Sequence, residues 1–165
     1  MGYNLSLMLK LVPKKEIPKY KSGVNGMELV YAEIDLISVD DMVLHRRGFL
    51  DENKIKQIRV NALVDSSAYM LSINEIVRAQ LDLPFIQKQF GKLADETLIE
   101  VDVVGPVEVH FENRSTTVRA IVLPGDAEVL LGAIPMEDMD VLTDPRQQNL
   151  VVNPKHPYVA TKHLK

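Results

Sequence analysis

Asn61-Ala62-Leu63-Val64-Asp65-Ser66-Ser67-Ala68-Tyr69-Met70-Leu71-Ser72-Ile73 is the stretch on which the reading of this chain turns. It enters as a strand, with Ile58, Val60, Ala62 and Val64 alternating against Gln57, Arg59 and Asn61, the period-two pattern of a half-buried sheet. The strand then delivers an aspartate, two hydroxyl residues and an alanine in succession. Ser72-Ile73-Asn74-Glu75 follows as a capping box, Ser72 accepting a backbone N–H and Glu75 reaching back. Ile73, Ile76, Val77 and Leu81 line one face of the helix this predicts, and Leu83-Pro84 ends it, because a residue before proline avoids the helical region. Two readings of Asp65-Ser66-Ser67 stand side by side. Local hydrogen bonding alone accounts for such residues in a turn; alternatively, the strand exists to present a carboxyl.

The same alternation runs outward in both directions. Ala32, Ile34 and Leu36 interleave with Glu33 and Asp35; Ile99, Val101 and Val103 form another face; Val107, Val109 and Phe111 interleave with Glu108, His110 and Glu112; Thr116, Val118, Ala120 and Val122 continue the pattern. Asn113-Arg114 between the last two runs predicts a hairpin turn, since asparagine tolerates positive φ. A second short helix is expected over Pro135–Asp140, with Pro135 at its first position and Glu137 and Asp138 against its positive end. Met136 and Met139 then serve as core filler. The pattern predicts a small all-β domain with one or two short helices.

The 165 residues suit one domain, and 46% apolar residues suffice for a core. Cysteine is absent, which removes disulfides, thiolate metal sites and thiol nucleophiles. With 19 basic and 23 acidic side chains, no tryptophan and 5% aromatics, neither a basic field nor a stacking platform for nucleic acid is expected. His45, His110, His156 and His163 lack metal-ligand spacing, so no metal and no cofactor is expected. No Gly-rich phosphate loop and no Gly-x-Ser-x-Gly elbow occurs. The apolar run Leu5–Val12 is short and broken by Lys10, so no membrane partner is expected and the chain reads as cytoplasmic. Asn4-Leu5-Ser6 and Asn113-Arg114-Ser115 are then chance glycosylation matches.

Charge and composition divide the chain. Residues 1–26 carry net +4 and the remainder −8, with a Gly23-Val24-Asn25-Gly26 joint between them. Residues 1–26 are expected to be a flexible basic extension, either upstream sequence read through to a start at Met27 or an arm for a partner. Residues 27–157 are expected to form the domain and 158–165 a C-terminal tail.

The Asp65 segment resembles the active-site loop of the retropepsin-like aspartic proteases, in which apolar-apolar-Asp-Thr/Ser-Gly-Ala closes a strand. A second hallmark, two apolar residues and a glycine leading into a helix, stands at Val129-Leu130-Leu131-Gly132-Ala133-Ile134, with Gly132 67 residues after Asp65. Over Met27 to about Pro157 the chain is similar to the small prokaryotic single-domain aspartyl proteases. The runs that carry this likeness are Val30–Ile34, Val104–Val107, Leu123–Asp126, Leu131–Glu137 and Val152–Pro154. The resemblance implies the retropepsin-like acid protease fold, a small closed β-barrel-like all-β domain, and an aspartic endopeptidase that hydrolyses peptide or protein substrates with a water held between two carboxyls. The signature occurs once, so the second carboxyl would be Asp65 of another copy, in a homodimer with the site on its two-fold axis. Carried over, Asp65 is the catalytic acid and Ser66 hydrogen-bonds across the axis. Ala68 lies beside substrate, while Leu130, Leu131 and Gly132 support the loop. A flap falls near Lys92–Glu100 with Ala94, Asp95, Glu96 and Thr97 at its tip. Leu150-Val151-Val152 is a candidate for an intersubunit strand.

Two positions depart from the family pattern. Ser67 stands where the loop normally has glycine; if φ is positive there, the side chain costs roughly 1–2 kcal/mol. Ala94-Asp95-Glu96 stands where relatives often carry Ala-Asp-Gly. Both remove glycine, and they motivate the alternative of a catalytically degenerate dimer acting as a peptide-binding or regulatory module.

Overall fold

The computed structural model describes residues 29–164; the proposed 1–26 extension and the start at Met27 lie outside them. The elements in chain order are β1 (Val30–Ser38), α1 (Val39–Arg46), a 3-10 turn (Glu52–Lys54), β2 (Gln57–Val64), β3 (Leu71–Asn74), α2 (Glu75–Leu81), β4 (Phe85–Lys92), β5 (Leu98–Phe111), β6 (Arg114–Leu123), β7 (Leu130–Leu131), α3 (Ala133–Met139), β8 (Val141–Asp144) and β9 (Asn149–Val152). The chain is mostly β, with few helices. No described helix is long and apolar enough to cross a membrane.

Seven strands form one mixed sheet in the order β1-β2-β7-β3-β6-β5-β4, and β8-β9 form a separate hairpin. β1 pairs with β2 along its length and with β5 over Asp35–Ser38, so the sheet curls back on itself. It is a curled mixed sheet rather than a true barrel, because β4 hangs outside as an edge on β5 and β7 spans two residues. The alternating residues face inward as expected. Ile34, Leu36, Val60, Ala62, Leu71, Ile73, Val107, Val109 and Ala120 are all buried, and Val77, Leu81, Met136 and Met139 pack onto them from α2 and α3. Each fully buried valine, leucine, isoleucine or methionine among them contributes about 1.5–3 kcal/mol of transfer free energy.

Several local expectations shift. Leu71–Asn74 is a buried strand, pairing in parallel with β6, so Ser72 is not the cap of α2. Asn74 is, accepting from the Val77 N–H at 2.9 Å. Leu83 does end the α2 segment: Asp82 takes a left-handed conformation and the Leu83 N–H bonds to Arg78, closing the helix end. α3 begins at Ala133, two residues before Pro135, with Gly132 as its cap. The β5–β6 turn is Glu112-Asn113, because Phe111 pairs with Arg114 and Glu112 has the positive φ. Asn113 instead donates from its side chain to the Pro157 carbonyl. The helix α1 lacks an apolar stripe and was not expected. Its signal is local: Ser38 accepts from the Asp41 N–H, acids occupy the first turn and His45 and Arg46 the last, a capped and dipole-matched helix.

Candidate active site

The Asp65 turn is built by β2 and β7 together. These strands run parallel, pairing Leu63 with Leu130 and Val64 with Leu131. The Leu63 N–H donates to the Val129 carbonyl at 2.9 Å and the Asp65 N–H to the Leu131 carbonyl at 3.0 Å, so the ladder continues one residue past the strand into Asp65. The chain then closes on itself. The Ala68 N–H donates to the Asp65 carbonyl at 3.1 Å. The Asp65 Oδ1 atom accepts from the Ser67 N–H at 3.0 Å and from the Ser67 hydroxyl at 2.5 Å. Asp65 is half-buried, Ser66 and Ser67 are exposed and Ala68 is half-buried.

Gly132 locks the far arm of the turn. The Ala133 N–H donates to the Ala68 carbonyl at 2.8 Å and the Ile134 N–H to the Tyr69 carbonyl at 3.0 Å. A Cβ on Gly132 would collide with the Met70 carbonyl oxygen and stand 2.8 Å from that of Ala68. The residue is glycine for space, since its φ of −91° is open to any residue. Leu131, fully buried, fixes the floor. The structure therefore brings Asp65, Ser66, Ser67, Ala68, Leu131 and Gly132 into one unit.

Ser67 carries no torsional strain: among the described residues the non-glycine positions with positive φ are Asp82, Glu96, Glu112, Asp140 and Gln148. Its side chain adds a donor to the carboxylate.

Ala94, Asp95, Glu96 and Thr97 stand together at the tip of a hairpin longer than expected. β4 and β5 pair from Phe85–Val104 out to Lys92–Leu98. The Leu93 N–H donates to the Thr97 carbonyl at 2.8 Å, and the Glu96 N–H returns to Leu93 at 3.0 Å. Hydrogen bonds from the Thr97 side chain and N–H hold the Asp95 carboxyl below the usual range. Glu96 has φ +72°, the conformation glycine adopts without cost. Gln89 of β4 donates to the Met70 sulfur at 3.8 Å, tying the hairpin to the Asp65 turn.

Two residues that sequence reasoning missed meet across the strand that carries this turn. The Tyr31 hydroxyl donates to Glu128 Oε1 at 2.8 Å. Burial, then the Glu128 hydrogen bond and charge, push the phenol up. Burial also raises the Glu128 carboxyl, against the opposing Tyr31 hydrogen bond. They are 97 residues apart, and only the strand order β1-β2-β7 makes them neighbours. Among the described residues no group of three or more His, Asp or Glu side chains is placed to hold a metal. Leu150-Val151-Val152 belongs to the β8–β9 hairpin, where Val151 pairs with Leu142.

No protein-family model matches the chain, and no curated protein matches it in sequence. Among solved structures it is similar to the retroviral protease-like domain of Ddi1 from Leishmania major, at 13% identity and TM-score 0.48, over 78% of this chain and 90% of that one.

Proposed function

We propose that this chain is an aspartic endopeptidase that acts as a homodimer, with one Asp65 carboxyl from each copy. The observation that carries the reading is the clamped turn. The Asp65 backbone, at the end of β2, is pinned by the Leu131 carbonyl and by the close approach of Gly132. Its carboxyl is held by the Ser67 N–H and hydroxyl. The hairpin with residues 94–97 at its tip is tied to the turn through Gln89 and Met70. The Asp65-Ser66-x-Ala68 signature occurs once in the sequence, and two facing carboxyls are what the chemistry requires.

Two carboxyls at contact cannot both ionise, so the pair holds one proton between them. The ionised member takes a proton from water as the water oxygen adds to the scissile carbonyl carbon. The protonated member gives its proton to the carbonyl oxygen, and a tetrahedral diol results. Proton transfer to the amide nitrogen then breaks the C–N bond, releasing an acid and an amine. In this reading Ser66 reaches across the dimer axis, Ala68 and the 94–97 tip border the substrate, and Leu131 and Gly132 hold the loop. The domain runs from 27 to 157, with 158–165 as a tail.

The experiment is hydrolysis of denatured protein and peptide substrates from pH 4 to 7 by the native chain and by Asp65→Asn. Loss of cleavage in the variant is expected; cleavage that survives it overturns the chemistry. The second reading, a degenerate peptide-binding dimer, is favoured by two observations: the Ser67 hydroxyl sits on the Asp65 carboxylate at 2.5 Å, and Glu96 occupies a glycine-type conformation. Ser67→Gly separates the two. Proteolysis that appears only in the variant assigns the native chain to binding.

A further inference from the structure

Three strands carry the Asp65 turn, and their pleat sorts the side chains into two faces. Tyr31 is paired with Leu63, and Leu63 with Leu130, so these three share a face. Asp65, two residues beyond Leu63, and Glu128, two before Leu130, fall on the same face, because the parallel ladder is unbroken from Leu63–Val129 to Asp65–Leu131. The opposite face, with Ala32, Ala62, Val129 and Leu131, is buried in the core. The Asp65 face is half-buried at all five positions. Asp65 lies about 7 Å along the strand from Leu63.

To reach Glu128, the Tyr31 phenol crosses β2 at Leu63, because β1 and β7 flank that strand. The result is an apolar wall of Tyr31, Leu63 and Leu130 leading from the Asp65 turn to a carboxyl. That carboxyl is held in place. Its backbone is pinned on one side by the Val129 carbonyl on Leu63 and on the other by the Asn74 side-chain N–H on the Ala127 carbonyl at 2.9 Å. Tyr31 takes one acceptor position of Oε1, and a carboxylate offers about four.

We propose that Glu128 makes this wall a receptor for a cationic substrate side chain, the stem of a lysine or arginine lying on Tyr31, Leu63 and Leu130 and its head on the Glu128 carboxylate. Long basic side chains divide in this way between apolar surface and a charged partner, and a charge-assisted hydrogen bond in a half-buried setting outweighs one in water. The net −8 carried by the sequence after residue 26 works in the same direction. The inference rests on the reading of Asp65 as the hydrolytic acid, since that reading makes this face the substrate's.

The test uses binding, so that slow turnover does not obscure it. The probes are fluorescent peptides with a hydroxyethylene unit in place of one amide, a mimic of the tetrahedral diol. Lysine or norleucine is placed in turn at each position flanking that unit, and binding is read by anisotropy at pH 7. At one position lysine is expected to bind about tenfold tighter than norleucine, within the range of interfacial charge pairs. Glu128→Gln keeps an acceptor for Tyr31 and is expected to bring the ratio below about twofold, while Tyr31→Phe retains a lysine preference. A wild-type ratio near one at every position overturns the proposal, whether or not E128Q folds. A lysine preference undiminished in folded E128Q also overturns it. Norleucine peptides that bind without any lysine advantage sink this inference alone; failure of every hydroxyethylene peptide to bind sinks the Asp65 reading and this one with it.

Discussion

Replacing Gly132 by alanine asks whether the Asp65 turn is held by backbone packed directly on backbone. The backbone there, φ −91° and ψ −173°, accepts any residue, so the substitution has no torsional cost. Its cost is space. An alanine Cβ would stand 2.8 Å from the Ala68 oxygen, 3.0 Å from the Met70 carbonyl carbon and closer still to the Met70 oxygen. Carbon and oxygen ordinarily approach to about 3.3 Å, so these carbonyls must retreat by roughly 0.5–1 Å. The Ala68 carbonyl is not free to do so, because it is bonded to the Ala133 N–H, and the Tyr69 carbonyl between it and Met70 is bonded to the Ile134 N–H. Overpacking costs about 1–3 kcal/mol, and one lost hydrogen bond adds about 1 kcal/mol. The expected loss is about 2–4 kcal/mol in urea unfolding, or about 5–15 °C in Tm for a domain of this size. Two other glycines calibrate the result. At Gly91 a Cβ meets only Ile99 Cγ1 at 4.0 Å, whereas Gly125 has open space but φ +69°. Gly91→Ala should therefore match or slightly exceed wild-type stability, by up to about 1 kcal/mol, and Gly125→Ala should lose about 1–2 kcal/mol to torsion. A G132A protein within about 0.5 kcal/mol of wild type would refute the packing argument, and with it the account of how the turn is fixed.

Ser66→Ala removes the hydroxyl proposed to cross the dimer axis; sedimentation should show the dissociation constant rising about tenfold or more, since each lost hydrogen bond costs about 1 kcal/mol and the dimer loses two. Glu96→Gly relieves a left-handed residue at the hairpin tip (φ +72°) and gives up only an exposed 3.6 Å pair with Lys92; thermal unfolding should show no loss and a gain of up to about 1 kcal/mol. The Asp140 carboxyl is held down to about 2 by the Thr161 N–H, then by Asn153 and His156. A depressed carboxyl stabilises above its unfolded pKa of about 4 and loses that contribution as the pH falls toward the folded value. Hydrogen exchange at Thr161 should therefore accelerate as the pH drops from about 4 to about 2, relative to the intrinsic rate, and Asp140→Asn should abolish that acceleration.

What could be read along the chain was whatever depends on neighbours in sequence. The inward faces of β1, β2, β5 and β6 follow from alternation, and the Gly132 floor from its approach to a helix. Contacts that depend on strand order were not legible. Tyr31 and Glu128 carry no local mark, because each is a strand or loop residue of ordinary type until β2 is set between them. β4 is exposed along nearly its whole length, so it has no apolar alternation to announce it. The Leu71–Asn74 strand was hidden for a different reason. All four residues are buried, and Ser72 imitates a cap whose work Asn74 performs. At the hairpin tip, sequence reasoning identified the turn but not why glycine suits it; the positive φ of Glu96 supplies that reason.

The Ser67 side chain is where the two functional readings part, and its geometry narrows the question. A serine at this position strains the backbone only if its φ is positive. The backbone is unstrained, and both Ser67 donors converge on one oxygen, Oδ1. Two donors on a single atom fix the plane of the carboxylate without competing for Oδ2, the oxygen available to a water or a twin. Within one copy, therefore, serine orients the acid at least as firmly as glycine does, since glycine keeps only the N–H. Any harm has to arise where the added Cβ and hydroxyl meet the opposing turn or the attacking water. That separates two measurements usually taken together. If Ser67→Gly raises turnover and tightens the dimer in parallel, the side chain obstructs docking. If turnover rises at fixed dimer affinity, the hydroxyl obstructs the water, and the convergence on Oδ1 does not persist in the dimer.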